Sequence, residues 1–308
     1  MQVIYGLKNI GKFKRPVVAL GVFDGVHAGH RRVLRACLRK AGQVRGTSVA
    51  LTFWPHPQKM PGIYSLQHRL RLFSELGIDA CIVIRFNRRF SRMSAQEFAR
   101  QVLSGRLKAQ YVYVGENFRF GNKAKGNAAA LKRLGKKYAF KVEALPELRR
   151  KGEVISSTGL RRLIRAGKLS RAGKLLGRRV AILGTVVHGD AAGAGLGFPT
   201  ANLNPHHEVI PPHGVYAVRA IVAGREHPAA CYIGGKPKFL RRRRHKRLPF
   251  ANIEVHIPGF RKKIYGQLLE VRFLRKVREE RHFPSPQELV TQIKKDLRRI
   301  RAILPSPY

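Results

Sequence analysis

Two kinds of hydrophobic patterning divide the chain. Up to Gly177, short apolar runs alternate with stretches whose apolar residues recur every three or four positions. That alternation predicts buried strands separated by amphipathic helices. The runs are Pro16-Val-Val-Ala-Leu20, Ser48-Val-Ala-Leu-Thr-Phe53, Ala80-Cys-Ile-Val-Ile84 and Tyr111-Val-Tyr-Val114. After the first, Arg31–Arg39 has apolar residues at 33, 34, 37 and 38, one face of a helix. Further helices are predicted over 66–76 and 94–107, the second opened by Ser94 with Glu97 three residues on, a capping-box pattern. Strands alternating with helices mean a parallel sheet, whose ligands gather beyond the strand C-termini.

Past Gly177 the pattern changes. Val180–Val187, Gly214–Val222, Ala229–Ile233, Ala251–Ile257 and Tyr265–Phe273 read as strands at turn-marked intervals. Such spacing predicts an antiparallel sheet or small barrel. Apolar residues at 289, 290, 293, 297 and 300 predict a closing helix from Pro286 to about Ile303. Two domains are therefore expected, residues 1–178 and 179–308.

Composition narrows the setting. The 308 residues are 44% hydrophobic, enough for packed cores, and no apolar run reaches membrane-spanning length. The first residues lead almost directly into strand-like sequence, without the layout of a signal peptide. Cys37, Cys81 and Cys231 are too scattered for a disulfide framework or a zinc cluster, which predicts a reducing, cytoplasmic compartment. Charge is the anomaly: 62 Lys and Arg against 17 Asp and Glu give a formal +45. The basic residues are spread along the chain, as expected of a solvated surface that binds nucleic acid non-specifically at low salt. The run Lys238-Phe-Leu-Arg-Arg-Arg-Arg-His-Lys-Arg247 is the one concentrated exception.

Candidate chemistry begins at Gly21-Val-Phe-Asp-Gly-Val-His-Ala-Gly-His30, on the turn from the first strand to its helix. Unpaired helix N–H groups and the helix dipole attract anions there. Gly21, Gly25 and Gly29 allow close backbone approach to a phosphate, and His27 and His30 add donors for a phosphoryl group. The turn lacks the Gly-Lys-Ser/Thr of a Walker loop and the order of a dinucleotide fingerprint. Trp54-Pro-His-Pro57 and Gly115-Glu-Asn-Phe-Arg-Phe-Gly121 each follow a predicted strand, so they converge on the same crevice. Ile155-Ser-Ser-Thr-Gly-Leu-Arg161 reads as a helix N-terminus with an arginine in its first turn.

Together these segments resemble the H-x-G-H and I-S-S-T-x-x-R motifs of the nucleotidylyltransferase superfamily. In the longer form Gly-x-Phe-Asp-Gly-x-His-x-Gly-His, residues 15–161 resemble bacterial riboflavin kinase/FAD synthetases. The resemblance implies a Rossmann-like domain that joins FMN to the adenylyl group of ATP, yielding FAD and pyrophosphate. It assigns nucleotide or flavin contacts to Gly21, Phe23, Asp24, Gly25, Gly29, His56, Asn117, Ser156, Ser157, Thr158 and Arg161. His27 and His30 would stabilise the reacting α-phosphate, while the serines, Thr158 and Arg161 would hold the β- and γ-phosphates. Asn117 would lie near the nucleotide–flavin junction, and Asp24 is expected to brace the turn.

The second half carries the rest of the resemblance. Leu196-Gly-Phe-Pro-Thr-Ala-Asn202 resembles the riboflavin kinase signature, with Gly197, Pro199, Thr200 and Asn202 at the nucleotide and Thr200 and Asn202 at Mg²⁺. Asn252-Ile-Glu-Val-His256 resembles the barrel strand whose glutamate, here Glu254, activates the ribityl hydroxyl. Ile264-Tyr-Gly266 and Arg278–Phe283 match further segments. A hard cation suits oxygen ligands, and a positioned carboxylate assists phosphoryl transfer to an alcohol. The sequence departs from the family at Ala194, at Pro237-Lys-Phe239, and at Gly259-Phe260 with Arg261-Lys-Lys263. The implied reading is a bifunctional enzyme using ATP, riboflavin and FMN. Its alternatives are an FAD synthetase with a degenerate kinase barrel, or a basic RNA- or ribosome-associated protein that kept the fold.

Overall fold

The computed structural model describes all residues except 9, 151, 190–191, 207–208, 236–251 and 305–308. Internal contacts divide the chain into two compact units, Met1–Gly159 and Leu160–Tyr308. The basic run 238–247, the 237–239 departure and Ala251 lie outside the described residues.

In the first unit, β1 (Gln2–Tyr5), β2 (Val17–Leu20), β3 (Ser48–Trp54), β4 (Ala80–Arg85), β5 (Tyr111–Gly115) and β6 (Lys141–Leu145) form one sheet. Its order is β1-β4-β3-β2-β5-β6 and every pairing is parallel. Apolar side chains occur on both faces because both are covered, which is why these strands read as unbroken apolar runs. Val18, Leu20, Leu51, Ile82 and Val114 meet Phe98, Val102 and Leu103, together with Leu131 of α3 (Ala128–Lys137). Val17, Ala19, Ala50 and Val83 meet Val33, Leu34 and Cys37 of α1 (Ala28–Gln43) and Phe73 of α2 (Leu66–Glu75). β2 has β3 on one side and β5 on the other, so the chain order reverses there and a ligand crevice is expected at its C-terminal end.

The helix expected over 94–107 has the capping box at Ser94 and Glu97 but is π-helical over Phe98–Arg106. Leu107 N–H bonds Val102 O, five residues back, at 3.0 Å. Spacing of apolar residues does not report such a widening of the turn.

In the second unit, α4 (Ser157–Arg165, entering from the first) and α5 (Leu169–Leu176) precede a barrel. Gly177, with φ +73, ends α5 where the helical pattern stops. The barrel strands are β7 (Ala181–Val187), β8 (Ala201–Asn204), β9 (Gly214–Val222), β10 (Arg225–Gly234), β11 (Asn252–His256) and β12 (Leu268–Arg278). They close in the order β7-β8-β11-β10-β9-β12, antiparallel throughout. Outside it, Ile300 of α6 (Pro286–Ile303) and Leu304 pack on Val215 and Ala217. The strand expected over Tyr265–Phe273 runs instead from Leu268 to Arg278. Gly266 has φ +74 and Gln267 N–H bonds Ile264 O, so residues 264–267 are a turn that delays the strand.

Candidate functional sites

The Gly21–His30 turn leaves β2 at the sheet's reversal point and is strained. Phe23 (φ +52), Gly25 (φ +77) and Val26 (φ +41) all lie in the left-handed region, where a β-branched residue is an outlier. The glycines serve this packing. A methyl group added at Gly25 would lie 2.9 Å from Ile63 Cδ1, and one at Gly29 would lie 3.2 Å from the His27 ring. Asp24 is 3% exposed, and its Oδ1 accepts from Ile63 N–H at 2.8 Å and Tyr64 N–H at 3.4 Å. It braces the turn from within. Phe23 is also buried, edge-on to His30 and Phe73.

The two histidines stack with centroids 3.5 Å apart and planes 20° from parallel. His27 precedes α1 as its N-cap, its Nδ1 accepting from His30 N–H at 3.3 Å. With Nδ1 an acceptor, a neutral His27 ring carries its proton on Nε2.

The Ile155–Thr158 segment reaches this turn. Ser157 Oγ donates to Asp24 O at 3.0 Å across 133 residues of chain. Ser156 Oγ accepts from Gly159 N–H at 3.2 Å, capping α4, and Thr158 is exposed. Arg161, expected in the first turn, opens the second and is 4% exposed, buried rather than held out to solvent. His56 follows the cis Trp54–Pro55 bond, half-buried, with Nδ1 accepting from Gln58 N–H. Asn117 is exposed just past β5, its amide donating to Glu147.

Arg69, which has no motif around it, ties the turn after β2 to the end of β3. It is 2% exposed; Nη1 donates to Val22 O at 2.6 Å and Thr52 Oγ1 at 3.1 Å, and Nη2 to Phe53 O at 3.4 Å. Thr52 Oγ1 donates to the same Val22 O at 2.9 Å, and the guanidinium lies over the Trp54 ring. Burial lowers the Arg69 pKa, opposed by the charge of Asp24. Its signal was present: Leu66, Arg69, Leu70 and Phe73 share one helix face, so Arg69 falls on the buried side.

In the barrel, Glu254 on β11 stands opposite Asn202 on β8 and Tyr232 on β10. Cross-strand partners point to one face, so the three share it. Thr200 Oγ1 donates to Glu254 Oε2 at 3.2 Å, and the Asn252 amide donates to Oε1. Gly189 and Gly193 make room for the pair: added methyls would lie 2.0 Å from Asn202 Nδ2 and 3.1 Å from Thr200 Oγ1. Gly197 and Pro199 are exposed beside them. Ala194 is exposed on a short helix, and Gly259 has φ +74 in a turn closed by Phe260 N–H to Ile257 O. Both departures are therefore compatible with the local backbone. Nearby, Glu280 accepts from Tyr232 Oη at 2.6 Å and Gly235 N–H at 2.7 Å, and pairs with His213 at 2.8 Å.

Comparison with known proteins fits this division. The FAD synthetase family model matches residues 10–159 and the riboflavin kinase model residues 176–304. The bifunctional riboflavin kinase/FMN adenylyltransferase of Escherichia coli K12 is 34% identical over 307 residues, covering 96% of each chain. That of Bacillus subtilis is 34% identical, covering 92% of this chain and 90% of the relative. A Streptococcus pneumoniae crystal structure, described as a macrolide-efflux protein, superposes with TM-score 0.81 at 30% identity, covering 98% of this chain and 99% of that one. Among the described residues no helix is long and apolar enough to cross a membrane. The chain belongs to the family of bifunctional riboflavin kinase/FMN adenylyltransferases.

Proposed function

We propose that residues 179–308 phosphorylate riboflavin to FMN and that residues 1–178 adenylylate FMN to FAD, both from ATP. The observation that supports an active kinase, against a degenerate barrel, is Glu254 held by Thr200 and Asn252 and facing Asn202. In the kinase step Glu254 takes the proton of the ribityl hydroxyl as the hydroxyl oxygen attacks the γ-phosphorus, the bond to the β,γ-bridging oxygen breaks and ADP leaves. The hydroxyl of Thr200 and the amide oxygen of Asn202 are hard, neutral donors cradled by two glycines, a set that suits Mg²⁺ completed by phosphate oxygens. Held there by Thr200 and Asn202, Mg²⁺ would neutralise polyphosphate charge. Among the described residues no group of three or more His, Cys, Asp or Glu is placed to hold a metal ion.

In the adenylyl step FMN phosphate attacks the α-phosphorus of ATP and pyrophosphate leaves, without a covalent enzyme intermediate. The His27 and His30 rings stabilise charge on the α-phosphate, while Ser156, Ser157, Thr158 and Arg161 hold the outer phosphates. Positioning and preorganised charge supply most of the rate. The buried, scattered cysteines fit a reducing cytoplasm.

A chromatographic time course from riboflavin, and in parallel from FMN, tests both steps. His30→Ala is expected to abolish FAD formation and leave FMN formation. Glu254→Gln is expected to do the reverse. Loss of both products in either variant argues against separate sites. FAD formed only from supplied FMN by the parent protein means a degenerate barrel.

A further inference from the structure

A groove of about 360 Å³ runs along α1, lined by Ala28, Arg31, Arg32, Arg35, Arg39 and Leu148. Arg31, Arg35 and Arg39 recur every four residues, so one helix face carries them. The helix sequence, AGHRRVLRACLRKAGQ, contains no acidic residue. The far wall is the 146–148 segment, where Arg32 Nη1 donates to Pro146 O at 3.4 Å.

One end of the groove is lined by Ala28 of the Gly21–His30 turn. Ala28 lies between His27 and Gly29, and Leu148 O accepts from the N–H of Ile155, the residue before Ser156, at 3.0 Å. At 1.5 Å per residue, α1 rises about 16 Å from Ala28 to Arg39. The four arginines lie outside both phosphate motifs named above. A second basic cavity, lined by Lys132, Lys136 and Lys141 around Tyr111, sits instead at the N-terminal ends of β5 and β6. It lies away from the turn, at the other end of the sheet.

We infer that the α1 groove is a subsite for an inorganic oligophosphate, receiving the pyrophosphate released by adenylyl transfer. The inference rests on the adenylyl-transfer assignment. Pyrophosphate is a compact, highly charged anion with oxygens on both phosphorus atoms. Guanidinium forks pair with such oxygens bidentately and stay charged at every working pH. A groove lined by four of them, with Ala28 beside His27 in its lining, gives the leaving group a place to move. In reverse it delivers pyrophosphate to the same phosphorus.

The reverse reaction supplies the test. FAD and pyrophosphate give FMN and ATP: the bond from the adenylyl phosphorus to the FMN phosphate oxygen breaks, FMN keeps the electron pair, and a pyrophosphate oxygen takes its place. ATP formation is followed as pyrophosphate is varied, using the full chain, with riboflavin phosphorylation by the same sample normalising for folded protein. Arg35→Gln/Arg39→Gln is expected to raise the KM for pyrophosphate about five- to tenfold, the scale of two partly solvated ion pairs, and to lower kcat less. Lys132→Gln/Lys136→Gln removes the same charge at the other cavity and is expected to leave that KM unchanged.

An unaltered KM in the arginine variant overturns the groove, as does an equal rise in the lysine variant, which would reflect the general field of the protein. An unaltered KM accompanied by weaker binding of an RNA oligonucleotide would assign the groove to nucleic acid instead. If the parent protein makes no ATP from FAD and pyrophosphate, the adenylyl-transfer assignment fails and the groove inference goes with it.

Discussion

At the scale of single residues, the groups that matter most around the Gly21–His30 turn point inward. Arg69 is the clearest case, because one buried guanidinium serves the carbonyls of Val22 and Phe53, the hydroxyl of Thr52 and the face of Trp54. Replacing it with Met leaves Val22 O short of a donor and removes a buried counter-charge to Asp24. Arg69→Met is expected to cost about 2–4 kcal/mol of stability. Trp54 is the sole tryptophan, so its fluorescence during urea unfolding reads this unit. A midpoint equal to that of the parent would show that the guanidinium is dispensable. The cysteines give an independent check on burial. Desolvation pushes the Cys37 and Cys81 thiols up to about 12 and raises Cys231 as well, with Glu254 adding to the effect on Cys231. At neutral pH the thiolate fraction is then negligible. A coloured disulfide reagent is expected to find no thiol in the native protein and all three after unfolding; rapid reaction of any one would contradict its placement.

At the scale of elements, the end of the barrel near β10 and β12 is set by one carboxylate. Burial alone would raise the Glu280 pKa, yet hydrogen bonds from Tyr232, Gly235 and His213 outweigh it and hold the group below its ordinary value. A carboxylate depressed in the folded state adds stability above its unfolded pKa, and loses that contribution as pH falls through the folded one. The wild-type melting temperature is therefore expected to drop more steeply than that of Glu280→Gln as pH is lowered from about 5 towards 3, bracketing the ordinary carboxylate range. Parallel curves would mean the network adds nothing. Tyr232 belongs to the same network, its own pKa raised by burial, Glu280 and Glu254.

Elements also show where sequence pattern was sufficient. Strands covered on both faces, such as β2 and β4, are apolar without interruption, and α6 was delimited by its Pro286 start and regular face. Two of the elements that escaped have little to bury. β6 is an edge strand with Lys141 and Glu143 exposed, and β8 reads Ala-Asn-Leu-Asn with only Leu203 buried. β8 was visible solely as part of a signature, though it carries Asn202 into line with Glu254. The candidate chemistry was legible because its residues recur in motifs. The partners of Arg69, the place of Tyr232 and the π-helical segment were not, since they depend on residues distant in the chain or on the hydrogen-bond pattern of one turn.

At the scale of the whole molecule, a formal charge of +45 on 308 residues calls for either a polyanionic partner or an enzyme carrying a basic surface. The two differ in how association responds to salt. Counterion release makes log K fall linearly with log salt for any phosphate-tracking surface, and a Debye length of about 10 Å at 0.1 M leaves only close contacts at higher ionic strength. A surface without a dedicated partner is expected to bind RNA of unrelated sequences alike, steeply weaker as salt rises. FAD formation near physiological ionic strength is expected to be indifferent to added RNA. Filter binding over a salt series, with two unrelated oligonucleotides and FAD formation assayed alongside, separates the cases. One oligonucleotide retained over the other at high salt would mean recognition of bases, since phosphate contacts alone carry no sequence information. The basic surface would then serve a second role beside the two flavin reactions.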